Sequence, residues 1–135
     1  MLLGLALLSL LIWLYLLTLR GGFWRSAERL RDAPAPQGSW PAVTAVVPAR
    51  NEADVIAESL TSLLEQDYPG ALTVLLVDDH SDDATVAAAR EAAAGSRHPE
   101  RFGLLRAKAL PAGWTGKLWA LQQGSAEAEA EAGAA

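Results

Sequence analysis

The sequence predicts an open α/β fold, in which helices cover a mostly parallel sheet, preceded by one apolar N-terminal helix. Strand-like segments and segments with helical period alternate three times between Val43 and Gln123, and such alternation is typical of strand–helix–strand units joined by crossovers. The segment LTVLLV, from Leu72 to Val77, is almost continuously apolar. Continuous rather than alternating apolarity indicates a strand buried on both faces, as in a parallel sheet.

Residues 1–20 are predicted to form a transmembrane signal-anchor helix. Leu2 to Leu19 carry no charged side chain, and at about 1.5 Å per residue they would extend about 27 Å, close to the thickness of a bilayer core. A cleaved signal peptide fits less well, because no Lys or Arg precedes the run and no small-residue cleavage site follows it. The positive-inside rule predicts a single pass of the inner cell membrane with the downstream domain in the cytoplasm, from the arginines Arg20, Arg25, Arg29 and Arg31.

Residues 21–42 are predicted to be a basic juxtamembrane segment and a Pro-rich linker, and residues 43–135 to form the domain. The stretch RDAPAPQGSWPA, from Arg31 to Ala42, contains three prolines and has no periodicity. The 135 residues have room for one modest domain. The chain has no cysteine, which excludes disulfides and thiolate metal sites, and its net charge of -5 argues against a nucleic-acid partner.

The elements follow from local patterns. The first helix of the domain places Val55, Ile56 and Leu60 on one face. Ser81 is a candidate N-cap for the Ala-rich helix that follows it. The predicted strands are Val43 to Val47, Leu72 to Val77 and Phe102 to Arg106, and the predicted helices are Glu52 to Gln66, Asp82 to Ala94 and Thr115 to Gln123.

Two polar loops follow the first two predicted strands, PARNE (48–52) and DDHSDD (78–83). In open α/β sheets, ligands bind beyond the carboxyl ends of the strands, where helix N-termini offer N–H groups to anions. Both loops are therefore expected to face one crevice. Pro48 disfavours continuation of a central strand, Arg50 can bind phosphate or carboxylate, and Asn51 or Glu52 can cap the helix or hold a ligand hydroxyl or base edge.

Simpler interpretations of these motifs remain open. RNE before a helix is also plain capping chemistry, and a carboxylate cluster after a strand is often only a turn. The acidic loop does not match an EF-hand, because Ala84 stands where glycine is required. GWTGK (113–117) does not match a P-loop, since Pro111 replaces the first glycine and Leu118 follows the lysine, and no GxGxxG occurs.

Three motifs, taken in order, carry a family resemblance. VVPARNE, VLLVDDHSDDAT and GWTGKLWALQQG together resemble the nucleotide-sugar half of the family 2 glycosyltransferases, and the last is similar to the hopene-associated membrane branch. The resemblance covers Val43 to about Gly124. It implies an incomplete GT-A (Rossmann-like) domain that transfers a sugar from a nucleotide-diphosphate donor to an acceptor, in that branch a membrane lipid such as a hopanoid.

The resemblance also implies roles for individual residues. One carboxylate of the pair Asp78 and Asp79 would accept a hydrogen bond from the nucleobase, and Lys117 would approach the diphosphate. The nucleotide pocket would be lined by Pro48, Ala49, Arg50 and Glu52.

The family's metal-binding Asp-x-Asp, its catalytic acid and its acceptor-side motif do not occur in this sequence. Mg²⁺ or Mn²⁺ and its ligands are thus expected beyond Ala135, as is the Asp that acts as base, and no catalytic residue is expected here. The chain would then be the N-terminal piece of a larger enzyme, inactive alone, with its first strand as an open sheet edge. A non-catalytic nucleotide-binding or scaffold fragment is the alternative; a nucleotidyltransferase is a third option, although its Gly-rich first loop is absent.

Overall fold

A computed structural model describes residues 2–20 and 38–134. The chain divides into two compact units, residues 1–36 and 37–135. Most of the predicted basic segment and linker, residues 21–37, lies outside the described residues. The two units are therefore described separately.

In the first unit, residues 2–20 are described, and they form the helix α1 (Leu2–Thr18). Its 17 residues correspond to a length of about 26 Å. Within residues 2–20 and 38–134, no helix is long and apolar enough to cross a membrane. The predicted transmembrane helix is thus not found among these residues: the run is helical and its large apolar side chains are exposed, but the helix ends before Leu19.

The second unit contains a sheet of three parallel strands, which confirms the predicted α/β architecture. The strands are β1 (Val43–Ala49), β2 (Leu72–Asp78) and β3 (Phe102–Arg106), in the spatial order β1-β2-β3. Val43 is opposite Leu72, and Val74 is opposite Phe102. In the described part of the chain β1 pairs with β2 alone, so the first strand forms an open edge, as expected.

Helices cover both faces of this sheet. They are α2 (Ile56–Leu64), α3 (Thr85–Gly95) and α4 (Gly116–Ala134), and a short 3₁₀ turn at Pro99–Arg101 leads into β3. α2 and α3 pack together on one face. α4 packs on the other face, against β1 and β2.

The pleat of β2 distributes its side chains between these two layers. Val74 and Leu76 are fully buried against α2 and α3, where Leu60 and two further residues of α2 meet them. Leu75 and Val77 point the other way and pack against Ala120 of α4. Alternate residues of a strand face opposite sides of its sheet, and burial on both sides explains why this strand is apolar throughout.

β1 continues two residues further than predicted, through Pro48. The N–H of Val43 donates to the carbonyl of Ala71, and the carbonyl of Ala49 accepts from Asp79, both at 2.9 Å. The backbone N–H and C=O groups of every second residue from 43 to 49 thus point towards β2. Those of the residues between them, including Pro48, point to the open edge. Its missing N–H costs no ladder bond there, and edge strands tolerate proline for this reason.

The helices also differ from prediction at their ends. α2 begins four residues late, because Asn51 has a positive φ of 53° and a turn precedes the helix. α3 begins three residues late, and Ser81 is not its N-cap. α4 runs through the low-complexity tail to Ala134, since Ala and Glu have high helix propensity.

Gly124 allows α4 to lie close to the sheet, and a substitution there should be costly. A Cβ at this position would overlap the side chains of Val46 and Val77. We expect Gly124→Ala to lower the free energy of unfolding by about 1–3 kcal/mol, the usual cost of overpacking. Gly133→Ala in the same helix is the control: it meets open space, so it should be neutral or stabilise by up to about 1 kcal/mol. Urea unfolding followed by circular dichroism measures both, and equal effects would contradict this packing.

Candidate functional site

A pocket of about 300 Å³ lies at the carboxyl ends of β1 and β2, on the side of the sheet that α4 covers. Six of the seven predicted site residues line it, and Asp78 does not. Gly116 also lines it, and the sequence analysis did not single out this residue. The lining residues are Pro48, Ala49, Arg50, Glu52, Asp79, Gly116 and Lys117.

The two adjacent carboxylates have different environments because of the pleat. Asp78 is in step with Val74 and Leu76, so it faces the side of α2 and α3, where its Oδ1 accepts the N–H of Ser81 at 3.0 Å. Asp79, the next residue, faces the opposite side of the sheet and lines the pocket. Both residues are buried, at 4% and 7% exposure. Of the pair, only Asp79 is placed to meet a ligand in this pocket.

Asp79 has a loosely held cationic neighbour. Nη1 of Arg50 lies 3.6 Å from Oδ2 of Asp79, and the Arg50 side chain is 63% exposed whereas that of Asp79 is 10% exposed. An exposed guanidinium at this distance contributes little to stability. It can therefore turn to another anion in the pocket at small cost.

Gly116, at the first position of α4, brings the helix N-terminus against Asp79. A Cβ on Gly116 would overlap the Oδ2 atom of Asp79, so no residue with a side chain fits here without moving the carboxylate. The N-terminus of a helix carries partial positive charge and stabilises a nearby anion. Lys117, exposed at the next position, adds a full positive charge to the same wall. A sequence signal did exist: the glycine directly precedes a lysine at a predicted helix start.

Hydrogen bonds join the two polar loops. Consecutive N–H groups of residues 51–53 donate to Ser81 Oγ, Thr85 Oγ1 and Asp83 Oδ2, at 3.1, 2.8 and 3.2 Å respectively. In return, the N–H of Asp82 donates to Oδ1 of Asn51 at 3.0 Å. Much of the polar character of RNE and DDHSDD is thus structural, as the simpler interpretation of these motifs held, and the loops fix each other beside the pocket.

Asp83 is the most heavily bonded acid of these loops. Its Oδ1 accepts both the hydroxyl and the N–H of Thr85. These bonds favour the ionised form and lower the pKa of Asp83 below its ordinary value, against a smaller opposing effect of desolvation. Thr85 itself is fully buried.

A metal site is not formed by the residues that the structure describes. Among 2–20 and 38–134, no three His, Cys, Asp or Glu side chains come together in a way that could hold a metal ion. In the pocket, Asp79 and Glu52 are the only acids among the lining residues. These side chains do not fit a metal on their own, so no chemical step is derived through one.

Comparison with known proteins gives one family. The sequence profile described as "Glycosyl transferase family 2" matches residues 44–132. This span includes every residue that lines the pocket. A comparison with curated proteins and one with solved structures gave no match.

The bond between the loops at Thr85 can be tested with an isosteric change. Thr85→Val removes the hydroxyl that accepts the Glu52 N–H and donates to Asp83, and should lower the free energy of unfolding by about 1–3 kcal/mol, the net value of two hydrogen bonds. Thr61→Val is the matched control, because the Thr61 hydroxyl is exposed and bonds only to the carbonyl of Ala57 in its own helix. The control should change stability by less than about 0.5 kcal/mol. Equal losses in the two variants would argue against the contact.

The same substitution should change the acid titration of Asp83. The folded pKa of Asp83 is lowered, so its contribution to stability is present above the unfolded pKa of about 3.9 and is lost as the pH falls through the folded pKa. Thr85→Val removes the largest cause of that shift, and the folded pKa should rise towards its ordinary value. NMR titration of the Asp83 carboxyl carbon measures this, and Thr61→Val should leave the curve in place. An unmoved midpoint in Thr85→Val would disprove the assignment.

Proposed function

The chain belongs to glycosyl transferase family 2, and we propose that the pocket beyond β1 and β2 binds the nucleotide-diphosphate part of the sugar donor that this family implies. The observation that carries the proposal is the convergence of Arg50, Asp79 and Lys117 on one pocket. Two exposed cations and a helix N-terminus provide a place for phosphate. A buried carboxylate provides an acceptor for the donor groups of a base or a ribose.

The geometry suggests a division of roles. Lys117, at the start of α4, approaches the diphosphate together with the N–H groups of the first helical turn. Arg50 exchanges its loose contact with Asp79 for a phosphate oxygen. Asp79 rather than Asp78 accepts the hydrogen bond from the nucleobase, since Asp78 is occupied by Ser81. Pro48, Ala49 and Glu52 form the wall beside the base and ribose, which completes the list of predicted residues.

The proposed reaction is transfer of the sugar to a membrane lipid acceptor, such as the hopanoid that the resemblance implied. The exposed apolar side chains of α1 support a lipid environment, because a helix without a polar side gains by leaving water. A divalent metal at the diphosphate is also part of the proposal; it would offset the charge of the leaving group. The described residues do not provide its ligands.

Nucleotide binding without transfer is the second candidate function. Arg50, Lys117 and the start of α4 suit the binding of a phosphate in themselves, and this favours a binding role for these residues taken alone. The two candidates differ in turnover. In the full-length protein, sugar release or transfer from a radiolabelled donor would favour the transferase, whereas saturable binding without turnover would favour a binding module.

Lys117 should contribute directly to donor affinity. Lys117→Gln removes a charge-assisted hydrogen bond to phosphate, and we expect the affinity for nucleoside diphosphates to fall about tenfold to a hundredfold, the equivalent of about 1.5–3 kcal/mol. Arg90→Gln is the control for net charge, because Arg90 is exposed on α3 and does not line the pocket. Isothermal titration calorimetry with a panel of nucleoside diphosphates measures both. Equal losses in the two variants would mean that binding responds only to net charge.

The two neighbouring acids should respond differently to the same substitution. Asp79→Asn should weaken binding of the preferred nucleoside diphosphate by about tenfold or more, because the acceptor in the pocket loses its charge. Asp78→Asn should instead act mainly on stability, since its carboxylate holds the turn at Ser81. Calorimetry and urea unfolding on both variants separate the effects. Unchanged affinity in Asp79→Asn would reject the proposed role.

A further inference from the structure

The segment from Arg106 to Leu118, here called the 106–118 surface, differs in charge from the rest of the chain. The whole sequence has a net charge of -5, yet no acidic residue occurs between Glu100 and Glu127. The 106–118 surface contains Arg106, Lys108 and Lys117, and all three are exposed. Positive charge is thus concentrated on one surface of an acidic protein.

Large apolar side chains are exposed on the same surface. Leu110, Trp114 and Leu118 are 50%, 43% and 57% exposed. The exposure of three bulky apolar groups to water within nine residues is unfavourable. Leu110 and Trp114 lie between Lys108 and Lys117 in the sequence, and Leu118 follows Lys117. Apolar and positive groups are therefore mixed along the loop and the first turn of α4.

This surface is held in place from beneath. The ring of Trp114 packs edge-on against that of Trp119, with centroids 5.3 Å apart. The indole N–H of Trp119 donates to the carbonyl of Lys108 at 3.1 Å, and the N–H of Lys108 donates to Oε1 of Gln123 at 2.8 Å. Trp119 and Gln123 belong to α4, so the loop is tied to a long helix and presents its exposed residues in a fixed arrangement.

We propose that the 106–118 surface binds the surface of an anionic lipid bilayer. Lysine and arginine are attracted to anionic headgroups. Tryptophan prefers the headgroup level, and exposed leucines enter the boundary of the acyl chains. The charge of the surface, opposite to that of the remaining chain, is complementary to such lipids.

Lys117 belongs both to this surface and to the pocket. Lipid contact therefore brings the pocket to the bilayer, where a lipid acceptor resides, and in this respect the inference rests on the proposed function. The contact itself requires neither donor nor acceptor. It can be measured in their absence, independently of nucleotide affinity.

The absence of cysteine from the chain permits a test with one label at one place. Ala112→Cys, exposed in the loop, is labelled with the polarity-sensitive dye NBD, and Ser62→Cys on α2 carries the same dye as control. Full chains are mixed with vesicles of phosphatidylcholine, with or without phosphatidylglycerol. We expect a blue shift and an intensity increase for the dye at position 112 with the anionic vesicles only, and no change at position 62.

The apolar helix α1 does not confound this comparison. Insertion of α1 alone would bring the chain to neutral and anionic vesicles alike, and would leave the dye at position 112 in water or change both dyes together. No shift at 112, an equal shift at 62, or an equal shift on neutral vesicles would each overturn the proposal, and a surface that binds another protein instead would give the first of these results.

Two variants in the Ala112→Cys background identify the groups involved. Lys108→Glu should raise the phosphatidylglycerol-containing lipid concentration needed for half of the dye response by at least about fivefold, the effect of one basic charge at a membrane surface. Trp114→Ala should reduce the size of the response at saturating lipid. Unchanged responses in both variants would overturn the assignment to this surface. Retained nucleotide affinity in both would show that any loss concerns lipid contact and not the proposed donor site.

Discussion

The hydrogen bonds between the β1–α2 and β2–α3 loops are the constraint on which the site depends. Three successive N–H groups of the first loop are satisfied by side chains of the second. Parallel pairing of β1 and β2 brings both loops to the same edge, and these bonds then fix their relative position. A loop between a strand and a helix is normally mobile. Here each loop fixes the conformation of the other, so the backbone at Arg50 and at Asp79 has a defined position.

The pocket is organised around a buried carboxylate. Burial of an ionised acid is costly unless nearby groups compensate for it. Asp79 receives compensation from the start of α4, made possible by the absence of a side chain at Gly116, and from the exposed guanidinium of Arg50 at 3.6 Å. The first contribution comes from the backbone of a packed helix and the second from an exposed side chain. A site of this kind keeps its acid in place while one of its cations stays free to bind an incoming anion.

Patterns of apolar residues predicted most of the fold. The strand at Phe102–Arg106 has the predicted limits, and β2 differs by one residue, because burial on both faces leaves a clear signal in the sequence. The start of α2 was not predictable in the same way, since the residues before it donate hydrogen bonds to side chains about 30 residues away. Six of the seven predicted site residues share one pocket. Gly116 was missed because its role is steric, and the predicted spanning helix was not found among the described residues, where α1 ends at Thr18.

The assignment of Asp78 and Asp79 to different tasks has a consequence for insertions and deletions. The two residues are chemically identical, and only their phase in the pleat of β2 separates the acid of the turn from the acid of the pocket. A deletion of one residue within β2 would exchange their sides and would also turn Leu75 and Leu76 to the opposite layers. A deletion of two residues would preserve the phase. The parity of the strand length between Leu72 and Asp78, rather than the identity of either acid, therefore determines which carboxylate faces the pocket.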